Sequence, residues 1–357
     1  MIKSMPKPHR PKKLPIALKT SHFVRELSEA AFELGKLDGL QRNLPNPTLL
    51  ISPLAAKEAT ASSKIEGTRS TVSDVMMFEA GQESRYAETV EVANYRKAML
   101  YATQILKHSK IKLGLINEMH SLLLENSRGD SKRGMFRNEQ VFIGKKGDSI
   151  ETATYVPPEP WLIQEYMENL EKYLLIFDEN VLVKAGIVHY QFEAIHPFSD
   201  GNGRIGRLII PLLLYQEGLL YQPILYLSGY FDKHRDDYIE SLHEVERSGE
   251  HEAWLRFFFI SVKEQAKETQ GLIASIDRLL KRVQADMHTL KSPHGGKIVE
   301  FIFKKPIFTT PQMIEDLKIN RATVYRLVES MTKLKILDRK EAKRTYFVFR
   351  ELLALLY

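Results

Sequence analysis

The sequence predicts a mostly α protein, a helical body carrying one β-hairpin, followed by a C-terminal winged helix-turn-helix. Three observations carry that reading. Apolar residues recur at helical spacing through most of residues 21–290. Two short β-like runs, Val141–Ile143 and Ala153–Val156, flank the turn GKKGD, and Pro157-Pro158 closes the second. After about Gly296 the rhythm becomes helix, helix, turn, helix, hairpin.

The elements follow in order. Residues 1–20 hold six Lys or Arg and no acid, a basic Pro-rich arm that reads as a solvated tail. Ser21–Leu40 is the first helix, and Pro45 and Pro47 mark a turn-rich break from Asn43 to Ser52. Ser52 as N-cap, Pro53 at the first helical position and Gly67 past the end bracket a second helix, Pro53–Glu66. Further helices are expected over Tyr86–His108, Ile111–Leu124, Pro160–Phe177, Val181–Ile195, Arg204–Glu217, Asp232–Glu246 and His251–Leu290. A boundary falls near Lys291–Gly296. Beyond it come helices Gly296–Phe303 and Thr310–Leu317, the turn Lys318–Asn320, a recognition-type helix Arg321–Thr332, and β runs Ile336–Arg339 and Thr345–Phe349. The division is an arm (1–20), an N-terminal helical region (21–85), a core (86–260), a connecting helix (261–290) and the C-terminal module (291–357).

Composition excludes several chemistries. None of the 357 residues is Cys, which rules out disulfides, thiolate catalysis, iron–sulfur clusters and cysteine-based zinc sites. No apolar run free of charge reaches the roughly 18 residues of a membrane span, and the N-terminus has no signal-peptide pattern, so no membrane partner and a cytoplasmic location are expected. The formal net charge is +6. Residues 292–357 hold thirteen Lys or Arg against seven acids, so DNA is a candidate partner of that module, with protein contact the alternative. Arg321, Thr323, Tyr325 and Arg326 open its recognition-type helix.

The chemistry concentrates in His196-Pro197-Phe198-Ser199-Asp200-Gly201-Asn202-Gly203-Arg204-Ile205-Gly206-Arg207. Val181, Ala185, Val188, Phe192 and Ile195 form the buried stripe of the preceding helix, which places His196 at its rim. A glycine-bracketed loop at the start of the next helix points backbone N–H groups outward and makes an anion site. Arg204 and Arg207, three residues apart, share a helix face and can add forked donors to a polyphosphate. Asp200 is the one carboxylate of the loop, a hard oxygen ligand of the kind Mg²⁺ takes. His196 has the pKa range of a general base. No GxxxxGK[ST] is present, and HGGK at 294–297 lacks the first glycine and the final hydroxyl residue. His189, seven residues before His196, reads as structural.

The run HPFSDGNGRIGR resembles the signature HxFx[DE]GNGRxxR of the Fic (filamentation induced by cAMP) family, with every fixed position filled. The resemblance extends over about residues 86–260, including VHYQFEAI and the upstream GMFRNEQVFIG leading to YVPP. It implies an all-α core with a β-hairpin flap and transfer of AMP from ATP to a Ser, Thr or Tyr hydroxyl of a target protein. By that resemblance His196 takes the hydroxyl proton and Phe198 anchors the loop. Asp200 holds Mg²⁺, and Gly201, Asn202 and Gly203 form the anion cradle. Arg204 supports the β-phosphate and Arg207 the γ-phosphate. The kinase-like Doc relatives carry Lys where this chain has Gly203, which favours AMP transfer over phosphoryl transfer. The flap, with Val141, Phe142 and Ile143, would dock the target's backbone. Tyr230 and Tyr238 could approach the adenine but read first as core. Removal of AMP by the same site, and a nucleotide-sensing DNA-binding regulator, are the alternatives. Self-modification and a homo-oligomer are also expected.

Glu66 is locally misplaced, a carboxylate in the last turn of its helix at the dipole's negative end. The surrounding SSKIEG resembles the inhibitory motif [ST]xxxE[GN] found in many Fic proteins on a helix N-terminal to the core. The resemblance implies that Glu66 pairs with Arg207 and withdraws it from the triphosphate, while Ser62 steadies the helix.

Overall fold

The structure is a computed structural model, describing residues 7–84, 86–127, 129–144, 147–176 and 179–357. Long amphipathic runs with few breakers make most of the chain helical. The N-terminal helices are α1 (Val24–Arg42), α2 (Thr48–Ile65), α3 (Val72–Glu79) and α4 (Thr89–Ile105). The central ones are α5 (Leu113–Leu123), α6 (Ile163–Leu174), α7 (Val181–Ile195) and α8 (Asn202–Gln216). Then come α9 (Ser228–Lys233), α10 (Arg235–Ser248) and the long α11 (Glu252–Thr289). Helices α7 and α8 sit at the centre. Leu208 to Leu214 of α8 are all buried, and Phe192 and Ile195 of α7 are fully so.

Chain order after residue 290 is α12 (Gly295–Lys304), β1 (Ile307–Phe308), α13 (Thr310–Leu317), α14 (Arg321–Lys333), β2 (Asp338–Glu341), β3 (Thr345–Val348) and α15 (Arg350–Leu356). The three strands form one antiparallel sheet in the order β1-β3-β2, with Arg339 opposite Phe347 and Ile307 opposite Val348. Strand β1 and helix α15 were not anticipated: a two-residue strand has no periodicity to read, and RELLALL carries only two turns. Ile298, Phe301 and Phe303 join the same apolar core as the body, so the expected boundary near 291–296 is a turn between packed elements.

Several expectations are corrected. Helix α2 begins at Thr48, so Ser52 is not its N-cap and Pro53 lies inside it. Proline there removes one N–H from the helix ladder. Tertiary bonds fix this stretch, because Ser52 Oγ donates to the Lys304 carbonyl (2.5 Å) and Arg96 donates to Ser52 Oγ (2.5 Å) and to its carbonyl (3.2 Å). The helix expected over Asp232–Glu246 is two, α9 and α10, divided at His234. Helix α3, missed in the sequence, is set by a capping box between Thr71 and Asp74.

The β-hairpin is reduced to a single bridge, Ile143 with Tyr155, among the described residues. Lys145 and Lys146 of the expected turn lie outside them. Nor is the arm a solvated tail over residues 7–19. The His9 N–H donates to the Val156 carbonyl (2.8 Å), Arg10 pairs with Glu159, and Leu14 exchanges two 2.8 Å hydrogen bonds with the Asn169 side chain. Basic residues meet acids of the body, so the arm braces the segment that follows the flap. No helix among the described residues is long and apolar enough to cross a membrane.

Candidate active site

The end of α7, a six-residue turn and the start of α8 assemble the site. His196 caps α7 in left-handed backbone geometry (φ 50°), which for a residue with a Cβ stores roughly 1–3 kcal/mol of strain. Arg137 holds it there. Its Nε donates to the His196 carbonyl (2.8 Å), another guanidinium nitrogen to the Pro158 carbonyl (2.6 Å), and its backbone N–H to the Pro197 carbonyl (2.9 Å). Burial lowers the Arg137 pKa to about 10, yet the group stays charged at neutral pH. In the sequence Arg137 stands within GMFRNEQVFIG, and an isolated arginine carries no sign that it will clamp a loop 59 residues away.

Phe198 is fully buried, its ring stacked on His120 at 3.7 Å between centroids. His120 Nδ1 accepts from the Gly134 N–H (2.9 Å), which leaves Nε2–H to donate to the Asp200 carbonyl (3.0 Å). Burial depresses its pKa to about 4, so the ring is a neutral brace. Asn202 locks the turn from the other side, accepting from the Phe198 N–H and donating to the Phe198 carbonyl, both at 2.8 Å. Its side chain is therefore committed, and its contribution to an anion cradle is the backbone N–H. Gly201 has φ 78°, and its N–H donates to Asp200 Oδ1 at 2.6 Å. The outward donors are then the N–H groups of Asn202, Gly203 and Arg204, which open α8 and have no acceptor four residues back.

Asp200 is half exposed, and no hydrogen bond among the described residues reaches its Oδ2. A lone carboxylate with a spare oxygen beside backbone donors fits a cation that takes its other ligands from phosphates and water. No cluster of three or more ligating side chains occurs among the described residues. Arg204 is buried between Glu91 (2.6 Å) and Asp200 (3.2 Å), which fixes its plane.

Arg207 is buried, and α2 supplies its partners. Nε donates to Ser62 Oγ (2.9 Å), and one terminal nitrogen donates to the Ser62 carbonyl (3.1 Å) and to Glu66 Oε1 (2.5 Å). Glu66 is the C-cap of α2, followed by Gly67 at φ 91°. A Cβ placed on Gly203 would lie 2.5 Å from Glu66 Oε1, so the carboxylate stands directly over the glycine that opens the cradle. Burial pushes the Glu66 pKa up, but the charge and hydrogen bond of Arg207, with Arg204 and His196 adding, hold it below the usual carboxylate range. The pair is ionised at neutral pH.

Among the described residues no hydrogen bond of normal geometry reaches the buried His196 Nδ1. Burial first and the Arg137 charge second bring its pKa down to about 4, against upward pulls from the Glu193 carbonyl, Glu66 and Asp200. The imidazole is thus neutral and able to accept a proton. His189 is structural, buried against Trp254 and bonded through Nε2 to the Tyr238 hydroxyl (2.8 Å). Tyr238 is core, stacked on Phe231; Tyr230 stacks on His234. Of the flap residues, Phe142 and Ile143 are exposed and Val141 half-buried.

Residues 24–104 match the Fic/DOC family N-terminal region and residues 110–214 the Fic/DOC family itself. The chain is 30% identical over 208 residues to the protein adenylyltransferase Fic of Nematostella vectensis, covering 55% of this chain and 44% of that protein. It is 32% identical over 172 residues to that of Aedes aegypti, covering 47% and 31%. The chain thus spans less than half the length of these relatives. A Fic family protein from Desulfovibrio desulfuricans G20 shares the fold, with TM-score 0.62 at 20% identity over 95% of this chain and 98% of that one. So does Fic-1 (aa134 - 508) of Caenorhabditis elegans, with TM-score 0.56 at 20% identity over 70% and 74%. The two family matches together take in more than half of the residues, they enclose the whole His196–Arg207 turn, and the chain belongs to the Fic/DOC family.

Proposed function

We propose that the chain is a protein adenylyltransferase, transferring AMP from ATP to a hydroxyl of a target protein, and that Glu66 keeps it silent at rest. The observation that carries this reading is the contact of Glu66 with Arg207 over Gly203, beside an intact base and anion cradle. The names of the relatives, protein adenylyltransferase, support the reaction class.

In this reading the target hydroxyl loses its proton to His196 as its oxygen bonds to the α-phosphorus. The bond from that phosphorus to the β-phosphate bridge breaks, and pyrophosphate leaves. The N–H groups of Asn202, Gly203 and Arg204 meet the growing phosphate charge, already oriented before the reaction begins. Mg²⁺ bound at Asp200 would supply positive charge against the phosphates. Arg207, once released, clamps the terminal phosphate. The exposed Phe142 and Ile143 lie on the segment proposed to dock the target.

Labelled ATP with Mg²⁺, followed by detection of covalent AMP on protein, tests the reaction. Asp200→Ala should weaken Mg²⁺-dependent nucleotide binding by at least about tenfold; an unchanged Mg²⁺ requirement in titration calorimetry would take Asp200 out of the site. The pH profile checks the base. A base works only when unprotonated, so a depressed pKa extends activity toward acid. Removing Glu66 takes away an upward pull on His196 and moves the limit lower still. The acid limb of AMP transfer by Glu66→Gly is therefore expected well below 6.5, toward about 4. A midpoint at 6.5 would mean that the imidazole is solvated.

The chain order α12, β1, α13, α14, β2, β3 and the β1-β3-β2 sheet fit a winged helix-turn-helix, with α14 as recognition helix and β2–β3 as the wing. Arg321, Arg326, Arg339, Lys340, Lys343 and Arg344 are all exposed on these two elements. We read the module as a DNA-binding unit on that charge.

A further inference from the structure

The C-terminal unit is built onto the back of the inhibitory helix. Ala56 of α2, Val72, Met76 and Met77 of α3, and Ala80 just past its end form one apolar cluster with Ile307, Tyr346, Leu353 and Leu356. Polar bonds run alongside. The Gln312 side chain donates to the Glu79 carbonyl (3.0 Å), the Glu79 carboxylate pairs with Arg96, and Arg96 and Lys304 hold Ser52 of α2. At the chain's end the Tyr357 hydroxyl bonds Ser73 Oγ (2.6 Å).

The end of α3 also occupies the surface that would read DNA. A cleft of about 710 Å³ has Ala80 and Gly81 on one wall, and Tyr325 and Thr332 of α14 with Arg339 and Arg344 of the wing on the other. Lys343 at the wing tip pairs with Glu83 of the body at 3.1 Å. For α14 to enter a major groove about 12 Å wide, the duplex must lie along α14 and the wing, where Gly81 and Glu83 now stand beside Arg344 and Lys343. Arg321, Arg326 and Lys340 stay open outside the cleft, but contact of a duplex with Tyr325, Arg339, Lys343 and Arg344 competes with the segment that ends α3. The contact to be surrendered is weak at the wing tip, where Lys343 and Glu83 are 83% and 86% exposed. Glu66 lies in the short link between α2 and α3, so displacing α3 pulls directly on the inhibitory carboxylate.

We propose that the C-terminal unit holds α2 and α3 in the inhibiting position and gives them up when duplex DNA takes the wing and recognition helix, so that DNA activates AMP transfer. The inference rests on the inhibitory reading of Glu66 and on the DNA reading of the module. Its coupling is reciprocal, as linkage demands.

The full chain at low salt, with and without a short mixed-sequence duplex, tests it by two readouts. Amide hydrogen exchange over residues 60–79 should quicken at least about tenfold with duplex. AMP transfer should rise about tenfold in wild type and not at all in Glu66→Gly. Glu83→Lys, which sets two lysines against each other at the wing tip, should raise both readouts without DNA. Duplex that binds but leaves exchange unchanged overturns the coupling, and so does the absence of any duplex binding. A silent Glu66→Gly would instead defeat the adenylyltransferase reading, and the exchange measurement does not depend on it.

Discussion

Glu66→Gly is expected to raise AMP transfer about a hundredfold at matched ATP and Mg²⁺, and to permit self-modification. A hundredfold is about 2.7 kcal/mol, just under the roughly 3–5 kcal/mol that breaking a buried ion pair involves, and Glu66 is 41% exposed, which reduces its hold. The geometry sets the direction. Arg207 keeps both bonds to Ser62 when the carboxylate goes, so the guanidinium stays in place and only its outer edge is freed. The space over Gly203, occupied by Glu66 Oε1, opens at the same time. The carboxylate also leaves a poor position, since a helix C-terminus disfavours negative charge by roughly 0.3–1 kcal/mol. Arg207→Ala in the Glu66→Gly background should erase the gain, because in the proposed reading the inhibition acts through the arginine. Equal transfer by wild type and Glu66→Gly would return Glu66 to an ordinary helix end.

His196→Ala in the Glu66→Gly background should lower AMP transfer by about 10²–10⁴-fold while ATP binding stays nearly unchanged. In the proposed mechanism the imidazole serves the acceptor hydroxyl, while the phosphates meet the N–H donors of α8 and the two arginines. The loop does not depend on the His196 ring for its shape. Asn202 bonds both polar backbone groups of Phe198, Phe198 is stacked on His120, and Arg137 grips backbone carbonyls only. Loss of ATP binding by a folded His196→Ala, measured by calorimetry, would contradict the assigned role.

Much of the candidate site was legible because its residues are contiguous. The proposed base, carboxylate, glycines and arginines fall within twelve residues, and a six-residue turn running straight into a helix leaves few ways to arrange them. The helices were legible where one face is apolar and the stop signals agree, as in Val181–Ile195 and Thr310–Leu317, whose bounds match the sequence reading. Local signals misled where tertiary bonds replaced them. Ser52-Pro53 has the form of a helix start, yet Arg96 and the Lys304 carbonyl bind Ser52 in the middle of a longer helix. The arm has the composition of a solvated tail, yet its cations meet Glu159 and Glu165.

By itself the sequence determined a mostly helical chain, the turn that carries the chemistry, and the identity of the residues at its two ends. Glu66 and Arg207 could be paired from sequence only by resemblance, since 141 positions separate them and no periodicity spans that distance. The tertiary structure decided which groups are in use and which are free. Arg137, His120 and Glu91 became parts of the site because packing brought them to carbonyls and charges that no local pattern announces. The pKa values of about 4 at His120 and His196 likewise exist only in the fold, because burial is a property of what surrounds a side chain and not of its neighbours in sequence.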